Sequence, residues 1–291
     1  MKKLSLLLAA SAIFAGSTQA EDITTEVVKT GAFSVVNGET LNITGSGAKL
    51  IFDPSIPSGW SGGVQYALDI KSGATVNVLN GGHIDMNSNT KDFKVIKVDG
   101  VFNVESGTVS TNKITLGTSS KFILSQANAI SPSSLPKAYL TLAGNNMSVE
   151  MNASQAFILD IRQTATGTFD IASSAVLTVS DWYVHTTVAD TVDPTAIVLK
   201  DFVSNSIFLA DSTNTTYEMS DGGVLSVFYT EGSVVKKQRF SFLDESGDLI
   251  AMKLVDGDGG KYLSTAIPEP AEWAAIFGAL AMGLAVYRRR R

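Results

Sequence analysis

The feature that most restricts this chain is a short pattern that keeps returning: apolar-x-apolar, a tight Gly/Ser/Asp turn, then another alternating apolar stretch. It runs from Leu41-Asn42-Ile43 through Gly45-Ser46-Gly47 to Leu50-Ile51-Phe52, and again from Leu68-Asp69-Ile70 through Ser72-Gly73 to Val76-Asn77-Val78. Ile96-Lys97-Val98 through Asp99-Gly100 to Phe102-Asn103-Val104 is a third copy, and Ile114-Thr115-Leu116 through Phe122-Ile123-Leu124 a fourth. Period-two alternation buries one face of a strand and wets the other. A turn residue between two such strands lets the chain bend onto a new face. The copies start at 41, 68, 96 and 114, separated by 27, 28 and 18 residues. Repeats of this length fit the coils of a parallel solenoid, each burying its apolar face against the next. The expected fold class is all-β, a right-handed parallel β-helix-like repeat body plus one C-terminal transmembrane helix. An antiparallel β-sandwich or meander is the alternative, because short strands with regular turns read the same way.

Looser copies follow at Phe169-Asp170-Ile171 through Leu177-Thr178-Val179 and at Tyr217-Glu218-Met219 through Leu225-Ser226-Val227. Regularity fails between 125 and 165, where Ser131-Pro132-Ser133-Ser134-Leu135-Pro136 reads as a loop or a joint between two β segments. Arg239 to Leu243 and Leu249 to Val255 read as a hairpin that closes the solenoid end. Asp256-Gly257-Asp258-Gly259-Gly260 and the residues up to Ala266 read as a flexible run. The stretch Gly73-Ala74-Thr75-Val76-Asn77-Val78, followed by Asn80-Gly81-Gly82, resembles the passenger regions of autotransporter-like surface proteins over residues 30–125.

The two ends are of a different kind. Residues 1–20 are Met-Lys-Lys, an apolar run from Leu4 to Gly16, then Ser17-Thr18-Gln19-Ala20. A basic start, a short apolar stretch and a small-residue exit form a secretion signal. The apolar run is short of the roughly 30 Å hydrocarbon core. Cleavage is expected between Ala20 and Glu21. With no cysteine in the chain there is neither a lipoprotein attachment site nor a disulfide framework.

The last 25 residues run Ile267-Pro268-Glu269-Pro270-Ala271-Glu272-Trp273, then almost wholly apolar from Ala274 to Val286, then Tyr287 and Arg288-Arg289-Arg290-Arg291. The prolines hold the spacer extended, so a helix starts only after them. Trp273 and Tyr287 stand where interfacial aromatics belong, and the arginines act as a cytoplasmic stop. At about 1.5 Å per residue the helix 273–287 is somewhat short for a bilayer, a mismatch that snorkelling arginines offset.

In order and spacing these three parts resemble the PEP-CTERM sorting domain of Gram-negative bacteria that make extracellular polysaccharide. The resemblance covers residues 267–291. It implies that Pro268, Glu269 and Pro270 are recognised by an exosortase-type processing enzyme that removes the tail. Ala271 stands where the family often has Ser or Thr. The organisation expected is a signal peptide over 1–20, a β-rich extracytoplasmic body over 21–266 and a sorting tail over 267–291. The implied partners are signal peptidase, the exosortase-type enzyme, the inner membrane and extracellular polysaccharide. The implied course runs from an inner-membrane-anchored precursor with a periplasmic body to the cell surface or extracellular matrix.

Little in the body suggests chemistry. From Glu21 to Pro270 there are 16 basic and 27 acidic residues, a charge of about −11, which argues against nucleic acid as a partner. His83 and His185 are the only histidines and lie about a hundred positions apart, whereas a triad or metal site needs several such groups converging. Neither catalytic residues nor cofactor or metal ligands are expected, and the chain reads as a non-enzymatic envelope or matrix protein. The rival is a carbohydrate-active enzyme on the same scaffold, using Asp69, Asp85 and Asp99 if they stack on one face. A sugar-binding module with Trp60 and Tyr66 as platform is a third reading. Asp256-Gly257-Asp258 lacks the further ligands of a Ca²⁺ loop.

Overall fold

The computed structural model describes residues 20–53, 66–87, 95–162, 164–184 and 194–266, with Gly278, Met282 and Tyr287 of the tail. The chain winds through three parallel sheets in turn. The first coil is β1 (Ala20–Ile23), β2 (Glu26–Lys29) and β3 (Phe33–Val35). The second is β4 (Thr40–Thr44), β5 (Lys49–Phe52) and β6 (Tyr66–Ile70), and the third β7 (Thr75–Leu79), β8 (His83–Asp85) and β9 (Val95–Val98). β10 (Val101–Val104), β11 (Thr108–Ser110) and β12 (Lys113–Leu116) make the fourth; β13 (Lys121–Leu124), β14 (Ile130–Ser131) and β15 (Tyr139–Leu142) make the fifth. The first strand of every coil joins sheet A, the second sheet B and the third sheet C. This is an all-β, β-helix-like body. The apolar alternation seen in the sequence is what stacks: Leu41, Val76, Phe102, Phe122, Val149 and Phe169 occupy successive register positions of sheet A. All six are nearly or wholly inaccessible to solvent. The Phe102 and Phe122 rings stack at 5.7 Å.

Coil length varies chiefly between strands, with one-residue irregularities inside the ladders at Tyr66/Leu68 and Phe157/Ile158. Residues paired in sheet A can lie 20 or 35 positions apart in sequence. The corners are tight. A Cβ on Gly82 would lie 2.2 Å from the Ile43 carbonyl oxygen, and one on Gly100 2.3 Å from that of Ala74, so only glycine lets these turns pack on the coil below.

After the fifth coil sheet B stops and the body continues with two sheets. β16 (Met147–Met151) and β17 (Gln155–Ile161) form the sixth coil, and β18 (Gly167–Ile171) and β19 (Leu177–Trp182) the seventh. β20 (Thr195–Lys200) and β21 (Ile207–Ala210) form the eighth. The ladders run through the 125–165 stretch where the sequence pattern fails: β13 pairs with β16 and β15 with β17. The Ser131–Pro136 segment is the loop between β14 and β15.

Sheet B ends on a side chain. The Gln155 carboxamide donates to the Ile130 carbonyl at 2.9 Å and accepts from the Ile130 N–H at 3.1 Å. It takes the place of the next strand and satisfies an edge that would otherwise be open.

The C-terminal end is closed by antiparallel strands: β22 (Thr215–Met219), β23 (Leu225–Glu231) and β24 (Val234–Leu243) on sheet A, β25 (Met252–Gly257) and β26 (Gly260–Thr265) on sheet C. The antiparallel alternative thus applies to this end alone, and the Tyr217–Val227 copy is a hairpin of this closure. The expected hairpin of Arg239–Leu243 with Leu249–Val255 goes no further than one bridge, Leu243 with Leu249; β24 pairs with β23 and β25 with β26. The Asp256–Gly260 run is not a linker. Asp258-Gly259 is the two-residue turn between β25 and β26, with Gly259 at φ 73°, a left-handed conformation glycine adopts without steric cost.

The expected transmembrane helix 273–287 falls mostly outside the described residues. Gly278, Met282 and Tyr287 are helical, and no helix of the described residues is long and apolar enough to cross a membrane.

Replacing Gln155 by Leu keeps its volume but strands the buried N–H and C=O of Ile130. The expected loss is roughly 2–4 kcal/mol of unfolding free energy, read as a lower midpoint in urea denaturation; an unchanged midpoint would contradict the capping role.

Candidate functional site

Of the three aspartates that would have to converge for polysaccharide cleavage, Asp69 and Asp99 flank Lys97 beside sheet C while Asp85 lies on another face. Asp69 lies on the outer side of sheet C, Asp85 on the outer side of sheet B, and Asp99 in the turn between β9 and β10. Asp69 is paired with Lys71, and Asp99 with Lys97 at 2.5 Å. His83 sits on the outer side of sheet B, its Nδ1 2.7 Å from Thr108 Oγ1 and its Nε2 3.4 Å from Ser110 Oγ. It belongs to a polar ladder, not to a nucleophile–base–orienter chain. Asp256 pairs with Lys261 across the β25–β26 hairpin at 2.6 Å. Among the described residues no three His, Asp or Glu side chains are grouped to hold a metal. His185, Trp60, Pro268, Glu269, Pro270 and Arg288, Arg289, Arg290 and Arg291 lie outside the described residues. Ala20 and Glu21 form the start of β1, opposite Thr40 and Leu41.

The outer faces of the three sheets differ. On sheet A the outward positions carry a half-exposed ladder: Asn42 donates to Asp22 at 2.8 Å, Asn77 to Asn42 at 2.8 Å and Asn103 to Asn77 at 3.3 Å. Further along, Lys121 meets Glu150 at 2.8 Å and holds the Glu150 carboxyl below its usual range. These are solvated pairs of small energetic weight.

Sheet C is covered on both sides. Its outward positions form two neighbouring columns. One runs Asp69, Lys97, Thr115, Thr141, Asp160 through consecutive coils; the other runs Val95, Lys113, Tyr139, Ile158, Asp181. Thr115, Thr141, Asp69 and Asp160 are buried although they point away from the core. Asp160 is 1% exposed, accepts from Thr141 Oγ1 at 3.0 Å and lies 3.7 Å from Lys113 Nζ. Burial pushes the Lys113 ammonium down despite the pull of Asp160.

The β23–β24 hairpin closes over the far end of this face. Gln238 donates to the Ile161 carbonyl at 2.8 Å, and Tyr229 packs edge-on against Tyr183 at 5.3 Å. Tyr183 in turn meets Tyr139 at 6.5 Å, with Lys236 Nζ 5.5 Å from the Tyr183 ring. Burial raises the Tyr139 and Tyr229 hydroxyls above their ordinary range. Asp181 accepts from Thr215 and from the Trp182 N–H. Tyr66, named from the sequence, stands at the opposite end of the same sheet with Lys97 Nζ 5.2 Å from its ring. The sequence did not single out Tyr139, Tyr183 and Tyr229, because uneven coil lengths hide which residues become neighbours.

No family model, no curated protein and no solved structure matches this chain.

Replacing Lys113 by Met removes the ammonium beside the buried Asp160 carboxylate. Because Lys113 is itself a quarter exposed, the loss is expected near ~2–3 kcal/mol, below that of a fully buried pair. The double variant Lys113→Met/Asp160→Leu should recover most of it. Urea unfolding of the three chains checks this, and equal losses in single and double variants would refute the pairing.

Proposed function

We propose that this chain is the precursor of an exported, non-enzymatic protein of the cell envelope or extracellular matrix, sorted by a PEP-CTERM-type tail and associated with extracellular polysaccharide. The observation that carries the reading is the order and spacing of Pro268-Glu269-Pro270, the apolar stretch 273–287 and Arg288 to Arg291, behind a leader ending at Ala20. Signal peptidase cuts between Ala20 and Glu21. The tail holds the body on the far side of the inner membrane, its arginines staying in the cytoplasm. An exosortase-type enzyme then acts at Pro268, Glu269 and Pro270, and the body passes to the surface or matrix of a Gram-negative cell.

The body suits this role. A solenoid wound to the right, the hand that strand–crossover–strand geometry favours, is a stiff scaffold with three outer faces over its first five coils and two beyond them. The placement of Asp85 on a different face from Asp69 and Asp99, and the pairing of Asp69 with Lys71 and of Asp99 with Lys97, support a structural or adhesive task over a hydrolytic one. No cofactor enters the account.

Intact-mass analysis of the protein recovered from its native host tests the reading. A species beginning at Glu21 and ending near residue 270 is expected; a mature species still carrying Arg291 would overturn removal of the tail.

A further inference from the structure

The bond at which the leader is cut in the reading above lies inside a strand. Ala20 and Glu21 open β1 and pair in register with Thr40 and Leu41 of β4, followed by Asp22 with Asn42 and Ile23 with Ile43. The residues just after the bond are held in the first coil by more than this ladder. Asn42 donates to the Asp22 carboxylate at 2.8 Å, and the Lys49 N–H donates to the Thr25 carbonyl at 3.2 Å. Ile23 is 4% exposed and belongs to the apolar core. We propose that leader removal is gated by folding: the Ala20–Glu21 bond is open to signal peptidase only while β1 is undocked from β4, and closure of the first coil withdraws it. The inference rests on the leader reading put forward above, and adds the order of events.

Backbone pairing and burial, not nearness to a chain end, decide whether a segment can be cut. An enzyme that takes an extended peptide holds it through main-chain hydrogen bonds, and β4 already occupies one edge of β1. Because β1 is the terminal strand of sheet A, only its outer edge is left, while Ile23 ties the segment to the core below. Cleavage therefore follows the fraction of molecules in which β1 has opened. Opening exposes Ile23 and breaks the pairing of four residues, which keeps that fraction small. The rest of the body need not unfold, because each coil of a solenoid contacts only its neighbours and folding can start at any of them. Coils from β4 onward can thus form while β1 is still free. Hydrolysis adds one water across the amide, leaving a carboxylate on Ala20 of the leader and an α-ammonium on Glu21. The shortened chain keeps Glu21, Asp22 and Ile23 to pair with Leu41, Asn42 and Ile43, so β1 docks after the cut and completes the first coil.

The test incubates the full chain, folded in a mild detergent, with purified bacterial signal peptidase and follows the products by mass spectrometry. Two further samples run beside it. One is the same chain diluted from urea directly into the enzyme, so that it meets the peptidase before β1 docks. The other carries a Gly-Ser-Gly-Ser insertion between Glu21 and Asp22, which moves the scissile bond off the ladder and leaves Asp22 and Ile23 in place; an unchanged urea midpoint shows that it still folds. Cutting of the folded chain at Ala20–Glu21 is expected to be at least about tenfold slower than in either of the other two. Equal rates in all three would overturn the gating and spare the leader reading. An inserted chain cut as slowly as the folded one would overturn the β1–β4 ladder as the barrier. No cut at Ala20–Glu21 in any sample, including the one from urea, would sink the leader reading itself and this inference with it.

Discussion

Everything in this body depends on like side chains stacking in register from coil to coil. Leu41, Val76, Phe102 and Phe122 on sheet A face Leu68, Ile96, Ile114 and Leu140 on sheet C, and none of the eight is more than 1% exposed. Apolar burial drives the coil closed, at about 25 cal/mol per Å² removed from water. The parallel ladders decide which residue meets which. A slip of one residue would turn a whole column outward. The corners therefore have to be steric fits, and Gly82 and Gly100, where a side chain would strike backbone, are the places where sequence freedom is smallest.

Much of this is legible in the amino-acid order. Alternation at 68, 96 and 114 marks the strands that stack in sheet C, since Leu68, Ile96 and Ile114 are register partners. The copy at 41 looks identical but turns another corner: it runs from sheet A to sheet B, whereas the later ones run from sheet C to sheet A. Gly-containing turns serve both corners, so local pattern cannot tell them apart. The two-sheet half was hidden for a different reason. Its coils alternate as well, but the end of sheet B is set by one polar side chain, Gln155, whose role appears only when Ile130 lies beside it. The C-terminal strands misled because each can pair with either neighbour. Asp258-Gly259 was composed like a linker and is a hairpin turn, stabilised by the strands on either side.

The outer side of sheet C was the least legible part. Lys113 and Asp160, or Tyr139 and Tyr183, are tens of residues apart and carry no shared motif. They meet because coil length varies between strands while the ladders keep their pairing apart from the shifts at Tyr66/Leu68 and Phe157/Ile158. The same property lets a solenoid vary one face without disturbing its core. Here the stacked interior is uniform, two outer faces are solvated ladders, and the third gathers aromatic rings and desolvated polar groups. A solenoid with one differentiated side is compatible with the proposed delivery to the cell exterior.

Amide hydrogen exchange on the intact chain tests the stacked interior most directly. The account predicts that residues 101–104 and 121–124, which lie between paired coils on both sides, exchange slowest and open together. Early exchange there, at the pace of the corner turns, would contradict a core built from register stacking.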